Sequence, residues 1–257
     1  MPAAGYREYL AGPRLGAVQC FWTSSMPKPT GALAHRVLPD GCMDLLFDFA
    51  PDAPLPVRIV GTMTRALVVE SRGVSDFLGI RFRPGGLPAL VRMDAAELRD
   101  GDADPACFGG RFALDLWHRL AEAAPPARPA ILCETLPAAT PDPLVAWCAS
   151  RIEARCGQLA IAALADESGA GARRIERSFA RQVGIAPKQL ARITRFRGLI
   201  AAAEAGEGSW ADLAARFGYA DQPHMVREFR ALAGLSPTEF LAGRPVGNLQ
   251  DAARRAA

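Results

Sequence analysis

Two stretches in the C-terminal half of this 257-residue chain repeat each other, and the repeat limits what that half can fold into. Each stretch has a short apolar segment, a Gly, a longer amphipathic segment, a second Gly and then a Pro. Because Gly ends helices in the left-handed conformation and Pro begins them, each copy is predicted to be a helix-turn-helix followed by a third helix. The matched residues are Leu164/Leu213, Ala165/Ala214 and Gly169/Gly218 at a spacing of 49, and Phe179/Phe229, Gly184/Gly234 and Pro187/Pro237 at a spacing of 50.

The second helix of the later copy is predicted to begin after Asp221. The Asp221 carboxylate can accept hydrogen bonds from the first free backbone N–H groups, and Pro223 fits the first turn, where its missing N–H costs no intrahelical bond. Apolar residues then recur at helical spacing on one face, which predicts that this face packs against a core. The predicted buried face carries Met225, Phe229 and Leu232, and the opposite face carries His224, Arg227 and Ala231.

The second helix of the earlier copy is predicted to have a basic outer face. Between positions 173 and 197, eight basic residues stand against one acid. Such a block suits a polyanionic partner, although a solvated helix surface is the other interpretation. A long helix from Pro187 to the region of Ala205 would hold the two copies in a fixed relation. The predicted apolar stripe is Ala172, Ile175, Phe179 and Val183, and the other side carries Arg173, Arg174, Arg177 and Arg181.

The doubled unit resembles the DNA-binding domain of AraC/XylS-type transcriptional regulators. The resemblance covers Leu159 to the region of Leu241 and is most specific in the second copy, LAARFGYADQPHMVREFRALAGLSPTEF, with its GY, acid, Gln, His, aromatic residue and G-x-S-P. It implies an all-α double helix-turn-helix domain, expected over residues 158–245. It also implies that the outer faces of both second helices read bases in successive major-groove segments of one duplex.

The resemblance assigns DNA contacts to particular side chains. An Arg guanidinium can donate two parallel hydrogen bonds to guanine, although arginines also anchor phosphates. Two positions depart from the family pattern: Gly171 stands where Ser or Thr usually opens the first recognition helix, and Pro223 replaces a polar residue. The implied base-reading residues are Arg173, Arg174 and Arg177, with Arg177 the strongest candidate, and Gln222, His224 and Arg227 in the second unit. Phosphate or solvent contact is expected for Arg181, Lys188, Arg195 and Arg197.

Residues 1 to 95 have the pattern of a compact antiparallel β domain. Short apolar or alternating segments are separated by Pro, Gly and Asp clusters, which favours a sandwich or a small barrel. The spacing then becomes helical. An α+β fold is expected, with a β-rich domain and trailing helices over residues 1–140 and a linker and lead-in helix over residues 141–157. The strand-like segments are GAVQCFW, MDLLFDF, VRIVGTM, ALVVES and FLGIRF, and the helix-like segments are LPALVRM, FALDLWHRLAEAA, ARPAILCETL and PLVAWCASRIEAR.

The stretches RVLPDGCMDLLFDF and GIRFRPGG are similar to an N-terminal domain that precedes this DNA-binding module in bacterial regulators. The resemblance implies a cupin-like domain that senses a small-molecule effector or forms a homodimer. Asp40, Asp44 and Asp48 recur every four residues and are expected to close turns or face solvent. The side chains of a kind that could line an effector pocket are Trp22, His35, Asp44 and Arg81, each of which also has a structural interpretation.

We expect no catalytic residue, no metal and no cofactor. A cupin metal site needs two or three histidines with a carboxylate, and His35 is the only histidine before the helices. The six cysteines are scattered without a CxxC pair and are interpreted as buried reduced thiols. A DNA-repair methyl acceptor would need four zinc-bound cysteines, whereas Cys20 and Cys42 stand alone in the β domain.

The chain has neither a signal peptide's apolar stretch nor an apolar run of membrane-spanning length, so we expect a cytoplasmic protein. The sequence therefore predicts a regulator that binds double-stranded promoter DNA and contacts RNA polymerase. Activation is expected rather than repression, by family habit. A non-DNA-binding interaction adaptor is the alternative, because sequence does not show whether the arginine faces are unobstructed.

Overall fold

The structure is a computed structural model that describes residues 5–26, 33–51, 53–71, 74–108 and 111–242. An antiparallel β domain is followed by helices, and the C-terminal half is helical, which confirms the predicted α+β class. The ends of the predicted domains at residues 1–4 and 243–245 lie outside the described residues. The strands are β1 Gly5–Leu10, β2 Val18–Met26, β3 Leu33–Val37, β4 Met43–Asp48, β5 Val57–Val60, β6 Leu67–Ser71, β7 Ser75–Phe82 and β8 Asp102–Ala103.

The helices occupy the segments with helical spacing. Short 3-10 turns at Ala95–Leu98, Pro105–Phe108 and Pro125–Ala127 separate some of them. The long helix predicted from Pro187 is confirmed as α7. The helices are α1 Gly86–Leu90, α2 Arg111–Glu122, α3 Arg128–Thr135, α4 Pro143–Ala154, α5 Ile161–Ser168, α6 Ala172–Val183, α7 Pro187–Glu204, α8 Trp210–Arg216, α9 Gln222–Ala233 and α10 Pro237–Ala242.

The strands form two antiparallel sheets. One has six strands in the order β1-β2-β7-β4-β5-β8, and the other pairs β3 with β6. The larger sheet is open at β1 and β8, so a closed barrel does not form, whereas a sandwich of the cupin-like kind is compatible with this topology. All five strand-like segments contain strands. The sequence pattern misses β1, β3 and the two-residue strand β8, and β1 is an edge strand whose exposed residues lack apolar alternation.

Side-chain alternation gives the six-stranded sheet two different faces. Phe21 and Ile80 point to one face, are fully buried, and share a core with the apolar side of α2. Trp22, Asp44 and Arg81 belong to the opposite face, because each is adjacent in its strand to a residue of this core. The apolar face holds the domain together, and the polar face is free for other chemistry.

The helical half has one core that both repeat copies share. Phe179, Phe196 and Phe229 are fully buried in it, and the rings of Phe196 and Phe229 meet edge to face with centroids 5.1 Å apart. Phe196 lies on α7, so this helix joins the two copies through packing as well as sequence. Helix α4 contributes Val145 and Ile152 to the same core.

The β domain and the helical half are in direct contact. Leu38, which follows β3, is fully buried in the core of the helical half. Gly184, which ends α6, lies against the backbone carbonyl of Ala95. None of the helices within the described ranges combines the length and apolar composition needed to span a bilayer.

Gly184 is expected to tolerate substitution far less well than Gly169, although φ is positive at both, 82° and 67°. A methyl group at Gly184 would lie 2.6 Å from the Ala95 carbonyl oxygen, whereas nothing lies within 4 Å of the same point at Gly169. Gly169→Ala should cost about 1–2 kcal/mol for the left-handed conformation alone. Gly184→Ala should cost at least about 1 kcal/mol more, because it overpacks the contact. Denaturant unfolding curves measure both changes, and equal losses would contradict the packing role of Gly184.

Candidate nucleic-acid interface

Helix α6 presents the arginine-rich face predicted from the earlier repeat copy. Ile175, Phe179 and Val183 are at most 1% exposed, which confirms three residues of the apolar stripe. Ala172 is exposed instead, because it is the first residue of the helix and lies beyond the core. Gly171 precedes it and provides no side-chain cap, as its lack of a side chain predicts. The exposed residues on the other side are Arg173, Arg174, Arg177 and Arg181.

The four arginines of α6 are not neutralised by the protein itself. Across the described ranges, no side chain forms an ion pair or hydrogen bond with any of them. Arginines elsewhere in this half do pair, since Arg151 and Arg155 both contact Glu167, at 2.6 Å and 2.9 Å. An uncompensated cationic helix face raises the local positive potential and attracts an anionic backbone.

Helix α9 begins at the predicted position with Asp221 as its N-cap. The Asp221 carboxylate accepts a hydrogen bond from the His224 N–H at 2.5 Å, and Pro223 occupies the first turn. Gln222 and Arg227 are exposed and His224 is half-buried, so the three candidates lie on the outer side of the helix. The predicted buried face is confirmed for Met225, Phe229 and Leu232, which are at most 1% exposed.

His224 is partly engaged within the protein. Its Nδ1 accepts the Ala220 N–H at 3.4 Å, and its ring lies edge-on to Tyr219 with centroids 5.6 Å apart. With Nδ1 acting as an acceptor, the proton of the neutral imidazole is on Nε2. Nε2 is therefore the nitrogen that can donate to an outside partner.

A buried carboxylate ties α9 to α7. Glu228 is 7% exposed and accepts hydrogen bonds from Arg192 Nε at 3.0 Å and Arg195 Nη2 at 3.2 Å. The Arg195 guanidinium also lies 4.7 Å from the centroid of the Tyr219 ring. Because a buried carboxylate without a partner is costly, these two arginines stabilise the position of α9 against the long helix.

Arg195 therefore differs from its expected role as a phosphate or solvent contact, because its side chain is only 17% exposed and is paired with Glu228. The sequence did contain a signal for this pairing. Glu228 lies three residues after Met225 and directly before Phe229, within the core-facing arc of the helix. An acid in that arc needs a cation, and α7 supplies it.

In the β domain, three of the four candidate effector residues come together on the polar face of the six-stranded sheet. Arg81 of β7 is 5% exposed, and its Nε lies 3.2 Å from an Asp40 oxygen and 3.3 Å from an Asp44 oxygen. Glu8 of β1 lies 3.6 Å from Arg81 Nη1. Trp22 of β2 packs over Gly79, which lies two residues before Arg81 on β7 and on the same face of the sheet. A side chain at position 79 would overlap the indole ring.

Burial changes the chemistry of this cluster. It raises the pKa of Asp44 to about 6, although the adjacent Arg81 guanidinium lowers that pKa. It also raises the pKa of the neighbouring Cys20 and Cys42 thiols, which stay protonated and are poor nucleophiles. Asp40 and Asp44 both pair with a buried cation. Asp40 also closes a turn as expected, because its Oδ1 accepts the Cys42 N–H at 3.0 Å, whereas Asp44 is largely buried and does not face solvent. Asp48 behaves as expected, since its carboxylate accepts the Ala50 N–H at 3.0 Å in a turn.

His35 lies apart from the other three candidates. It belongs to β3 in the two-stranded sheet, opposite Val69 of β6. It is 6% exposed, and neither ring nitrogen has a hydrogen-bond partner among the described residues. Burial lowers the pKa of His35, which favours the neutral ring. The sequence did not indicate Tyr6, Glu8 or Asp40 as neighbours of Arg81, because strand pairing across the sheet decides that contact.

The cysteines do not pair with one another. Cys20 and Cys148 are buried as expected, but Cys107 and Cys156 are exposed, because both lie in short connections outside the two cores. The interpretation of all six as buried thiols is therefore wrong for these two.

Two family models match separate segments of the chain. One, described as a helix-turn-helix domain, matches residues 164–243 and so spans both repeat units. The other, described as a domain of unknown function (DUF6597), matches residues 7–104 in the β domain. A comparison with curated proteins gives no match.

The solved structures that match this chain include those of two bacterial proteins. The C-terminal domain of AraT, a response regulator from Geobacillus stearothermophilus, is 19% identical, and the match covers 45% of this chain and 98% of that one with a TM-score of 0.38. ToxT from Vibrio cholerae is 11% identical, and the match covers 86% of this chain and 98% of that one with a TM-score of 0.45. Unsaturated fatty acid bound ToxT is also 11% identical, with 92% and 93% covered and a TM-score of 0.39.

The buried ion pairs of Glu228 give a stability prediction with an internal control. Glu228→Gln should lower the free energy of unfolding by about 1–3 kcal/mol, because it leaves Arg192 and Arg195 without a charged partner. Glu207→Gln removes the partner of Arg216 at an exposed site and should change stability by less than about 0.5 kcal/mol. Urea unfolding of both variants checks this. Equal stability of the two would show that Glu228 does not hold α9 on α7.

Proposed function

We propose, on the premise that residues 164–243 form an AraC-type helix-turn-helix domain in a DNA-binding transcription regulator, that this chain reads promoter DNA with the outer faces of α6 and α9. The observation that carries the proposal is the row of four exposed arginines on α6 that no acid of the described chain neutralises. Packing does not explain such a row on a helix that serves only as a scaffold. Attraction to the DNA phosphate backbone does.

The two recognition helices would contribute differently. Arg173, Arg174 and Arg177 lie in the first half of α6, the part of a recognition helix that reaches base edges. Arg181 lies one turn further on and suits a phosphate. In the first half of α9 the exposed or half-buried side chains that can donate are Gln222, His224 and Arg227, because Pro223 has no side-chain donor. We therefore propose that α6 carries most of the direct base readout.

The exposed faces favour DNA binding over the adaptor alternative. An adaptor would be supported if the protein's own acids covered the arginines, and in the described residues no acid, including Glu176 of the same helix, forms an ion pair with them. The contact with RNA polymerase is part of the same proposal, since a promoter-bound activator acts through the transcription machinery.

Self-association as a homodimer is proposed from a different observation. Leu67, Val68 and Val69 of β6 are 51%, 48% and 41% exposed, in a sheet that has two strands within the described residues. Apolar edge strands of this kind pair readily with another chain.

Arg177→Ala and Arg227→Ala are expected to change DNA binding in ways that separate base reading from phosphate contact. Loss of a bidentate base contact should cost about 1–3 kcal/mol and reduce discrimination between genomic DNA fragments. Loss of a phosphate contact should weaken binding to all fragments alike and make the salt slope shallower by about one unit. Binding titrations over a salt series distinguish the two.

Arg119→Ala is the matched control for these titrations. It removes one positive charge from an exposed position on α2 in the other half of the chain. This variant should discriminate between genomic DNA fragments as well as the wild type does. If Arg177→Ala and Arg227→Ala also behave like the wild type, the DNA-binding site lies elsewhere.

For the β domain we propose an effector site at the polar cluster around Arg81. Glu8, Asp40 and Asp44 surround a single guanidinium, so carboxylates outnumber cations there. The rings of Tyr6 and Trp22 stack beside them with centroids 5.8 Å apart. Excess carboxylates and aromatic faces both attract cations, so a small amine fits this cluster better than a carboxylic acid does.

A thermal-shift screen tests the effector proposal. Small primary amines should raise the melting temperature more than matched carboxylic acids, because only a ligand that prefers the folded state stabilises it. The shift should be larger at pH 7 than at pH 5, because the pKa of Asp44 is about 6 and the cluster binds cations best when ionised. Asp44→Asn should abolish the difference in thermal shift between pH 7 and pH 5. Asp102→Asn, at an exposed position, is the control and should keep that difference. Stabilisation by acids alone would contradict the assignment.

A further inference from the structure

We propose that the segment Gly61–Ala66, here called the β5–β6 connection, is a clamp that holds the C-terminal ends of α6 and α9 and so sets the relation of the two recognition helices on DNA. The proposal rests on the proposed function for its role in recognition. The contacts themselves lie in the described structure. They involve Thr62, Ala66 and the neighbouring Arg36.

The first contact is with α6. Thr62 is fully buried, and its hydroxyl donates to the backbone carbonyl of Val183 at 2.6 Å. Val183 is the last residue of α6, and the last four carbonyls of a helix have no partner within it. The β domain therefore supplies a donor that the helix itself lacks. Gly184, packed on the Ala95 carbonyl, brings the chain close enough for this bond.

The second contact is with α9, and it starts from the other end of the same segment. The Ala66 N–H donates to the Leu232 carbonyl at 2.7 Å. Arg36, opposite Val68 in the two-stranded sheet, donates from Nη1 to the Ala233 carbonyl at 2.8 Å. These are again end-of-helix carbonyls, and a cation at a helix C-terminus is also favoured by the helix dipole.

The segment between the two contacts is braced against the β domain. Thr64 donates from its N–H and from its hydroxyl to the two oxygens of Asp100, each at 2.6 Å. The Asp100 N–H donates to the Thr62 carbonyl at 3.1 Å, and the Gly61 N–H donates to the Gly101 carbonyl at 2.9 Å. A braced segment cannot release one helix end while leaving the other unaffected. Its two contacts therefore couple α6 to α9 independently of α7.

The clamp leaves the reading faces clear. It acts on the C-terminal carbonyls of both helices, whereas the proposed base-reading residues, among them Arg177 and Arg227, lie in their N-terminal halves. Arg181 lies in the last turn of α6, but it is exposed on the outer side of the helix. Recognition helices contact base edges chiefly through N-terminal residues. The β domain can thus hold both helices from behind while they lie in DNA, which makes Thr62 a positioning residue for α6 and Arg36 a positioning residue for α9.

Hydrogen exchange on the full-length protein without DNA tests the coupling. Thr62→Val keeps the shape of the side chain and removes its donor. It should speed exchange several-fold at the C-terminal amides of α6 and also at the Ala66 amide, which bonds to α9. Thr194→Val removes a comparable hydroxyl-to-carbonyl bond within α7 and should leave both regions unchanged. Faster exchange at α6 alone would overturn the clamp.

DNA binding tests what the clamp does for recognition. The first probe is a genomic fragment that the wild type selects. The second is the same fragment with one base pair inserted between the segment contacted by α6 and the segment contacted by α9. The third is a shorter DNA that contains one of these two segments. Thr62→Val should bind the native fragment roughly fivefold more weakly, the loss expected for one hydrogen bond. It should also discriminate less against the insertion and bind the single segment as the wild type does. Arg36→Met should act in the same direction.

Several outcomes of the binding experiment contradict the clamp. The first is that Thr62→Val discriminates against the inserted base pair as well as the wild type does. The second is that it binds the native fragment more tightly. The third is that it loses as much affinity for the single segment as for the native fragment. If the wild type itself shows no discrimination between fragments, the proposed function fails. The exchange measurement still decides whether the β5–β6 connection couples the two helices.

Discussion

The structure depends on one shared apolar core between the two repeat copies. Phe179 from the first copy, Phe196 from α7 and Phe229 from the second are all fully buried there. Since burial of such a side chain contributes on the order of 2–3 kcal/mol, neither copy can turn its apolar stripe outward without a large loss. The opposite faces must then point to solvent. The exposure of the arginines on α6 is a consequence of this packing.

The same packing divides the basic block of residues 173–197 into two groups with different roles. The arginines of α6 lie opposite the core and have no acidic partner in the described chain. Arg192 and Arg195 of α7 lie near the seam between α7 and α9, where Glu228 is buried and requires a counter-charge. Charge density along the sequence is alike in both groups. Their position relative to the core decides which of them can contact a polyanion.

The β domain follows the same division between an apolar and a polar face. One face of the six-stranded sheet packs on helices, and the other carries the carboxylates around Arg81. β5 runs from this sheet directly into the β5–β6 connection, which contacts the C-terminal ends of α6 and α9. A ligand that altered the sheet would therefore have a short mechanical route to α6 and α9. The proposed effector site and the proposed clamp are adjacent steps on that route.

The sequence by itself determined much of the helical half. The start of α9, the span of α7, the left-handed glycines and the buried faces other than Ala172 follow from local rules, because capping, turn formation and helical periodicity involve residues within a few positions of one another. Strands in which apolar and polar residues alternate clearly were also predicted from the sequence. The edge strand β1, with exposed side chains and no apolar rhythm, was not.

Only the tertiary structure decided which residues meet across distant segments. The pairing of Arg195 with Glu228, the grouping of Glu8 and Asp40 around Arg81, and the bond from Thr62 to Val183 join residues that are 33 to 121 positions apart. His35 is separated from the group around Arg81 because it lies on the other sheet. No local pattern encodes such contacts, because they depend on how whole helices and sheets pack. Local chemistry made the helices of this protein, and long-range packing decided which of its charges stay exposed and unpaired among the described residues.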